Sequence, residues 1–185
     1  MKNPGPIVLA GVLAAFLSTA AFAQQAPPAE PPAKAAPAKA AVKAEEHHHA
    51  LAAHHKNAAE HAKALHHHAA TQATLNKEVA KEHSEEIGKS LDAADKHLDK
   101  VSEQNQSPEM KKHHEAMRAE HAKAREQNQA LKTELEKETP DAQKVKTHAA
   151  AIHHHVRKAQ AEHKAMMKKE GVAEPKEPAA PTTQK

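Results

Sequence analysis

Aromatic side chains are almost absent from this chain, and that limits the folds it can adopt. Phe16 and Phe22 are the only residues of the Phe, Tyr and Trp group, and there is no cysteine. Aromatic residues usually supply much of a globular core, and disulfides stabilise small exported domains whose core is too small. Most of the apolar residues are alanine, the best helix former. The composition therefore excludes a disulfide-stabilised domain and predicts helices around a thin core.

The first 23 residues are predicted to be a secretory signal peptide. Lys2 gives a positive start, residues 7–21 are largely apolar, and Ala21-Phe22-Ala23 fits the small-residue cleavage pattern. We expect cleavage before Gln24, with export to a bacterial periplasm as a soluble protein without a membrane span. A retained anchor is the alternative, because the apolar run approaches the ~20 residues that a spanning helix needs.

Proline-rich segments flank one long helical region. Residues 24–44 are rich in Pro, Ala and Lys, residues 171–185 contain three further prolines, and both segments are predicted to be disordered. Between them, residues 45–170 contain few helix breakers. Gly171 directly follows this region and suits a C-terminal helix cap.

Two helix starts in the second half of the helical region are well marked. Ser107-Pro108-Glu109 places a capping serine, a proline at the first helical position and an acid in the first turn. Thr139-Pro140-Asp141 repeats this arrangement. The two starts predict helices over 108–137 and 140–170, which a tight turn makes antiparallel.

The first half of the helical region divides less clearly. An apolar stripe with alternating spacings of four and three residues runs from Ile87 to Val101, as in a helix that faces a bundle. Gln72 interrupts the upstream pattern, which predicts a turn there and helices over 45–71 and 74–104. Four helices of similar length favour an all-α fold, an antiparallel four-helix bundle. The alternative is one long helix over 45–104 followed by a helical hairpin.

Nineteen of the 185 residues are histidine, the commonest metal ligand among side chains, and many occur in runs. His47, His54, His61 and His68 are seven residues apart and share one helix face, but successive members lie ~10 Å apart along the axis. No two histidines have the spacing of three or four residues that chelation within one helix needs. Multi-histidine sites must therefore form between helices or between chains. The predicted metal ligands are His47, His48, His49, His54, His55, His61, His66, His67, His68, His113, His114, His121, His148, His153, His154, His155 and His163.

The remaining histidines and the methionines have other interpretations. The isolated residues His83 and His97 are predicted to be solvated helix residues. Met110 and Met117 alternate with His114 and His121 at spacings of four, three and four residues, so they share one stripe. These methionines, like Met166 and Met167, either fill the core or add thioether ligands.

Two families resemble parts of this pattern. A signal peptide followed by Ala, Lys, Glu and His heptads on a small helical bundle without aromatic residues resembles the periplasmic small metal-binding protein of nitrifying bacteria. That resemblance implies a histidine-rich four-helix bundle that binds several divalent metals. The turn at Thr139-Pro140-Asp141 is similar to that of periplasmic helical-hairpin stress proteins, some of which are chaperones and others metal sensors.

The sequence predicts a non-enzymatic protein that buffers or sequesters metal ions in the periplasm. Imidazole ligands without thiolate suit divalent Cu, Ni, Zn and Co. The alternative is a chaperone-like or envelope-stress protein that binds unfolded clients, and either protein could form a homo-oligomer. No nucleophile lies in a recognisable catalytic context, and no phosphate-binding glycine loop occurs. Nucleic acid is excluded as a partner, because lysine and glutamate alternate instead of forming a basic face.

Overall fold

Four α-helices make up the structure, a computed structural model that describes residues 36–71 and 74–175, with side chains from residue 43 onward. No β-strand occurs in those ranges. The predicted signal peptide and its cleavage site lie outside the described residues, as do most of the two flanking segments. The helices are α1 Ala36–Thr71, α2 Lys77–Gln104, α3 Pro108–Glu136 and α4 Ala142–Glu170.

The helices form a four-helix bundle. α1 and α3 each pack against α2 and α4. Short connections join successive helices, and the cross-helix contacts pair early residues of one helix with late residues of the next, as in an antiparallel up-down-up-down arrangement. The predicted all-α bundle is therefore confirmed. The alternative of one helix over 45–104 is wrong, because α1 ends at Thr71 and α2 begins at Lys77.

The ends of α3 and α4 test the predicted capping signals. The Ser107 hydroxyl accepts a hydrogen bond from the backbone N–H of Met110, and Gly171 ends α4 with a left-handed φ of 70°. Both caps are confirmed. The cap predicted at Thr139 is wrong: Asp141 caps α4 by accepting from the N–H groups of Gln143 and Lys144. A carboxylate at the helix N-terminus is also favoured by the helix dipole.

The first two helices begin at positions that differ from the sequence prediction. α1 starts at Ala36, within the segment predicted to be a Pro-rich linker, and Pro37 occupies its first turn, where proline is tolerated. α2 starts at Lys77, three residues later than predicted, because the Asn76 side chain accepts a hydrogen bond from Val79 N–H and caps the helix there.

Buried apolar side chains form two clusters along the bundle. One lies toward the α1–α2 and α3–α4 connections and includes Leu65, Ile87, Leu131 and Ile152. The other lies toward the α2–α3 connection. The second cluster contains Leu51, Ala94, Leu98, Val101, Met110, Met117 and Met166.

None of the described helices is long and apolar enough to cross a membrane.

Candidate metal centre

Histidines of α1 and α2 face each other in pairs. The Nδ1 atoms of His47 and His97 lie 3.2 Å apart, and those of His61 and His83 lie 2.9 Å apart. The His54 ring also stacks on His97, with the ring centroids 5.4 Å apart. The residue numbers of each hydrogen-bonded pair add to the same total, as the fixed register of two antiparallel helices requires. Imidazoles are thus aligned along the α1–α2 interface.

His83 and His97 correct the sequence prediction, which took them for solvated residues. Both are partly buried and contact histidines of α1. Burial and then the neighbouring imidazoles lower the pKa of each, which favours neutral rings with a free lone pair. The two residues are fourteen positions apart, a whole number of heptads. That spacing could have indicated that both residues face histidines of α1, but only once α1 and α2 were known to be antiparallel.

Five histidines lie in the interior, at positions where a bundle normally places apolar residues. Each is at most 2 % exposed. His55 Nε2 and His121 Nε2 lie 2.7 Å apart, and His48 Nδ1 lies 3.1 Å from His163 Nε2. Three of the four helices therefore contribute imidazoles to this half of the core. The interior set is His48, His55, His114, His121 and His163.

Two carboxylates orient the interior imidazoles. His121 Nδ1 lies 2.5 Å from Asp95 Oδ1, and His48 Nε2 lies 2.8 Å from Glu170 Oε2. Burial, the largest single influence, raises the pKa of both carboxyl groups, but the nearby histidines, together with Arg125 beside Asp95 and Asn105 beside Glu170, lower both values overall. An ionised carboxylate can only accept. In the neutral ring of His121 the proton therefore lies on Nδ1, beside Asp95, and Nε2 carries a lone pair.

Burial favours the neutral form of His55, His114 and His163, and one ring nitrogen of each has no hydrogen-bond partner. Burial, followed by the nearby His121 and His163, lowers the pKa of His55 well below its usual value. Burial and then His48 lower the pKa of His163 to about 3. His55 Nδ1, His114 Nε2 and His163 Nδ1 are buried without a hydrogen-bond partner. Each such atom costs about 1–3 kcal/mol, so these nitrogens are available to a ligand.

The α3–α4 face pairs histidines with oxygen-bearing side chains. His113 Nδ1 contacts Glu162 at 2.8 Å, and His155 Nδ1 contacts Glu120 at 2.7 Å. The third such pair, His148 and Gln127, is separated by 2.9 Å. All three pairs again have residue numbers that add to one total. On this face the Nε2 atom of His113 and of His155 is left as the potential ligand.

The other predicted ligands are not joined to an imidazole of another helix by a described nitrogen contact. His67 and His154 are exposed, and the His154 ring contacts the neighbouring His155 ring. His49 Nε2 donates to the Ala173 carbonyl, and His68 Nε2 accepts from the Asn76 backbone N–H. His66 and His153 are partly buried. The consecutive runs therefore separate into different surroundings, as adjacent residues on a helix must.

The imidazole nitrogens that could bind a metal ion lie together in pairs. Two nitrogens bound at ~2.0–2.1 Å to one ion lie ~2.9–3.4 Å apart, and the facing pairs, at 2.7–3.2 Å, are close to this range. Across residues 36–71 and 74–175, no group of three or more His, Asp or Glu side chains is arranged to hold a metal ion. A third ligand requires a side-chain rotation, a water molecule or a second molecule.

The methionines lie in the core. Met117 and Met166 are fully buried, and Met110 and Met167 are nearly so. Met110, Met117 and Met166 belong to the apolar cluster that surrounds the interior histidines. Their positions agree with the core-filling interpretation, and the shared stripe of Met110, His114, Met117 and His121 is the face that α3 turns inward.

Comparisons of this chain with protein-family models, with curated proteins and with solved structures found no match.

Proposed function

We propose that this protein binds divalent transition-metal ions through histidines of neighbouring helices and buffers those ions in the periplasm. The observation that carries the proposal is the repeated facing of imidazole nitrogens from two helices. Four such pairs have separations of 2.7–3.2 Å. Packing alone gives no reason to place imidazoles opposite each other four times, because apolar residues would fill these positions without unpaired nitrogens.

The chemistry of the donors defines the class of ion. Imidazole is a borderline ligand that suits Cu²⁺, Ni²⁺, Zn²⁺ and Co²⁺, and affinity is expected to be highest for Cu²⁺. Cysteine thiolate is absent. Several sites of similar composition favour storage capacity over selection of one ion, which supports a buffering role. The predicted signal peptide supports a periplasmic location.

Calorimetric titration with Zn²⁺ tests the proposal. We expect more than one equivalent to bind with about micromolar affinity or tighter. Binding competes with protonation of imidazole, so ions should be released as the pH falls below about 6.5. Less than one equivalent bound at neutral pH would contradict the proposal.

Two matched double variants test whether metal binding depends on facing pairs of histidines or only on the number of histidines. His61→Gln/His83→Gln removes a facing pair, whereas His67→Gln/His154→Gln removes two exposed histidines that face no imidazole of another helix. The proposal predicts the loss of one bound equivalent in the first variant and a smaller change in the second. Equal losses would show that binding depends only on the number of histidines.

A further inference from the structure

We propose that the bundle also contains a closed interior site, in which His55, His121 and His163 hold one transition-metal ion that exchanges slowly. This inference rests on the proposed function and assigns the interior histidines a role distinct from that of the α1–α2 pairs, His47–His97 and His61–His83. The three residues come from α1, α3 and α4. The His55 ring lies edge-on to both others, with centroid separations of 4.9 Å to His121 and 5.7 Å to His163.

Asp95 fixes the donor atom of His121. Because the carboxylate accepts the Nδ1 proton at 2.5 Å, Nε2 must carry the lone pair, and this nitrogen faces His55. The arrangement is that of a metal ligand whose second nitrogen is hydrogen-bonded to a carboxylate, which fixes the ring and makes it more basic. Arg125 donates to the other oxygen of Asp95 at 2.6 Å and holds the carboxylate in place.

A relay through His48 fixes the donor atom of His163. His48 Nε2 lies 2.8 Å from Glu170 Oε2 in an ion-pair contact that lacks hydrogen-bond geometry, and the carboxylate favours the ring proton on that nitrogen. His48 Nδ1 then accepts from His163 Nε2 at 3.1 Å. The proton of His163 is thereby placed on Nε2, and its Nδ1 atom is left bare. That atom is buried without a partner. His48 is therefore a positioning residue.

His55 lies between His121 Nε2 and His163 Nδ1, the two atoms that carry these lone pairs, and its own ring can adopt either tautomer. Without an ion, its Nε2 proton is donated to His121 and its Nδ1 atom remains buried without a partner. An ion that accepts the Nε2 lone pair moves the proton to Nδ1. Convergence of all three donors requires rotation of the rings, since no three are arranged for an ion in the described residues. The carboxylates Asp95 and Glu170 help to offset the positive charge of the ion.

A groove leads from the surface to His163, whose side chain is itself buried, so that the last step to this residue requires local opening. It has a volume of about 450 Å³ and lies between α1, α4 and the residues that follow α4. Its walls include His49, His163, Met167 and Glu174. His49 donates to the carbonyl of Ala173 and joins α1 to this last segment. An ion that enters here meets the partly exposed His49 before the buried His163.

Release of Zn²⁺ to excess chelator tests the inference on the purified protein. We expect a fast phase from the partly buried α1–α2 pairs and a slow phase of one equivalent, about tenfold slower or more, because the interior ligands are reached only through local opening. His55→Leu/His163→Leu should remove the slow phase. His61→Leu/His83→Leu should reduce only the fast phase.

Each outcome has a separate meaning. A single fast phase in the wild type, or a slow phase that persists in His55→Leu/His163→Leu, overturns the interior site and leaves the proposed function intact. Absence of bound Zn²⁺ in the wild type overturns the proposed function itself. Far-ultraviolet circular dichroism checks that the leucine variant is folded, and His55→Gln, which keeps a polar side chain, gives a second test if it is not.

Discussion

The Nδ1 atoms of His61 and His83 lie 2.9 Å apart across the α1–α2 interface. His47 and His97 repeat this relationship two heptads away, at the same register. Because α1 and α2 are consecutive, the connection between them sets this alignment. The alignment of the facing histidines, which we propose bind metal, is thus set by heptad spacing and by the length of one short turn.

Acidification is predicted to destabilise the metal-free protein. The pKa of His163 is lowered to about 3 by burial and by His48, and that of His55 is lowered by burial and by His121 and His163. The unfolded chain then binds more protons, so stability is full above about pH 6.5 and falls as the pH drops below it. His163 alone accounts for a loss of about 2 kcal/mol at pH 5. Urea unfolding from pH 7.5 to pH 5 measures this.

His55→Leu/His163→Leu provides the control for the acid effect. Leucine does not titrate and is less costly to bury than imidazole, so the variant should show a smaller fall in unfolding free energy over the same pH range. The same slope in both proteins would show that other groups cause the acid sensitivity.

Asp95→Asn is predicted to weaken the interior site. The amide no longer accepts the His121 proton as strongly, and loss of such a carboxylate partner costs about 10–100-fold in metal affinity. Competition with a Zn²⁺ indicator measures the change. Asp92→Asn is the matched control, since Asp92 also contacts Arg125, at 3.0 Å, but no described hydrogen bond joins it to a histidine. The proposal is contradicted if both variants lose affinity equally.

Zn²⁺ is predicted to stabilise the fold through the interior site. An ion held by three helices binds the native state only, so a concentration 100 times the Kd adds about 2.7 kcal/mol. Thermal unfolding with Zn²⁺ and with chelator measures the effect. The gain should fall more in His55→Leu/His163→Leu than in His61→Leu/His83→Leu, because the interior ion joins three helices and the other joins two. Equal gains in both variants would argue against a special role for the interior.

The cap of α4 is predicted to depend on Asp141. Asp141→Ala removes hydrogen bonds to Gln143 and Lys144 N–H and should cost about 1 kcal/mol of unfolding free energy. Thr139→Ala should have little effect, because Thr139 is exposed and lies outside the helix. Chemical denaturation of the two variants tests the assignment, and a larger loss for Thr139→Ala would reverse it.

The fold was predictable because its signals are local. Alanine content, heptad spacing and the caps at Ser107 and Gly171 specify helices and their ends without tertiary information. The interruption near Gln72 similarly placed the first turn. The cap predicted at Thr139 was wrong because two potential capping residues flank Pro140, and only the Asp141 carboxylate reaches the free N–H groups of α4.

The candidate site was predictable only in part. The spacing of the histidines showed that any shared site had to join different helices, and the structure brings His55 and His121 together across the bundle. The roles of Asp95 and Glu170 were missed, because single acidic residues on a charged helix carry no sequence signal. Finding them required knowing how buried each carboxylate is and which histidine it contacts, and both depend on helix packing.

The two halves of the bundle differ in what holds them together. The half near Leu65 and Ile152 consists mainly of Leu, Ile, Val and Ala, and its buried polar residues Ser84 and Asn128 are hydrogen-bonded to each other. The half around His55 instead contains imidazoles with ring nitrogens that have no partner. The apolar half can therefore keep the four helices assembled while the half around His55 opens locally and a ligand enters it. If the proposed interior site binds an ion, uptake and release require separation of the helices at one end only and do not pass through the unfolded state.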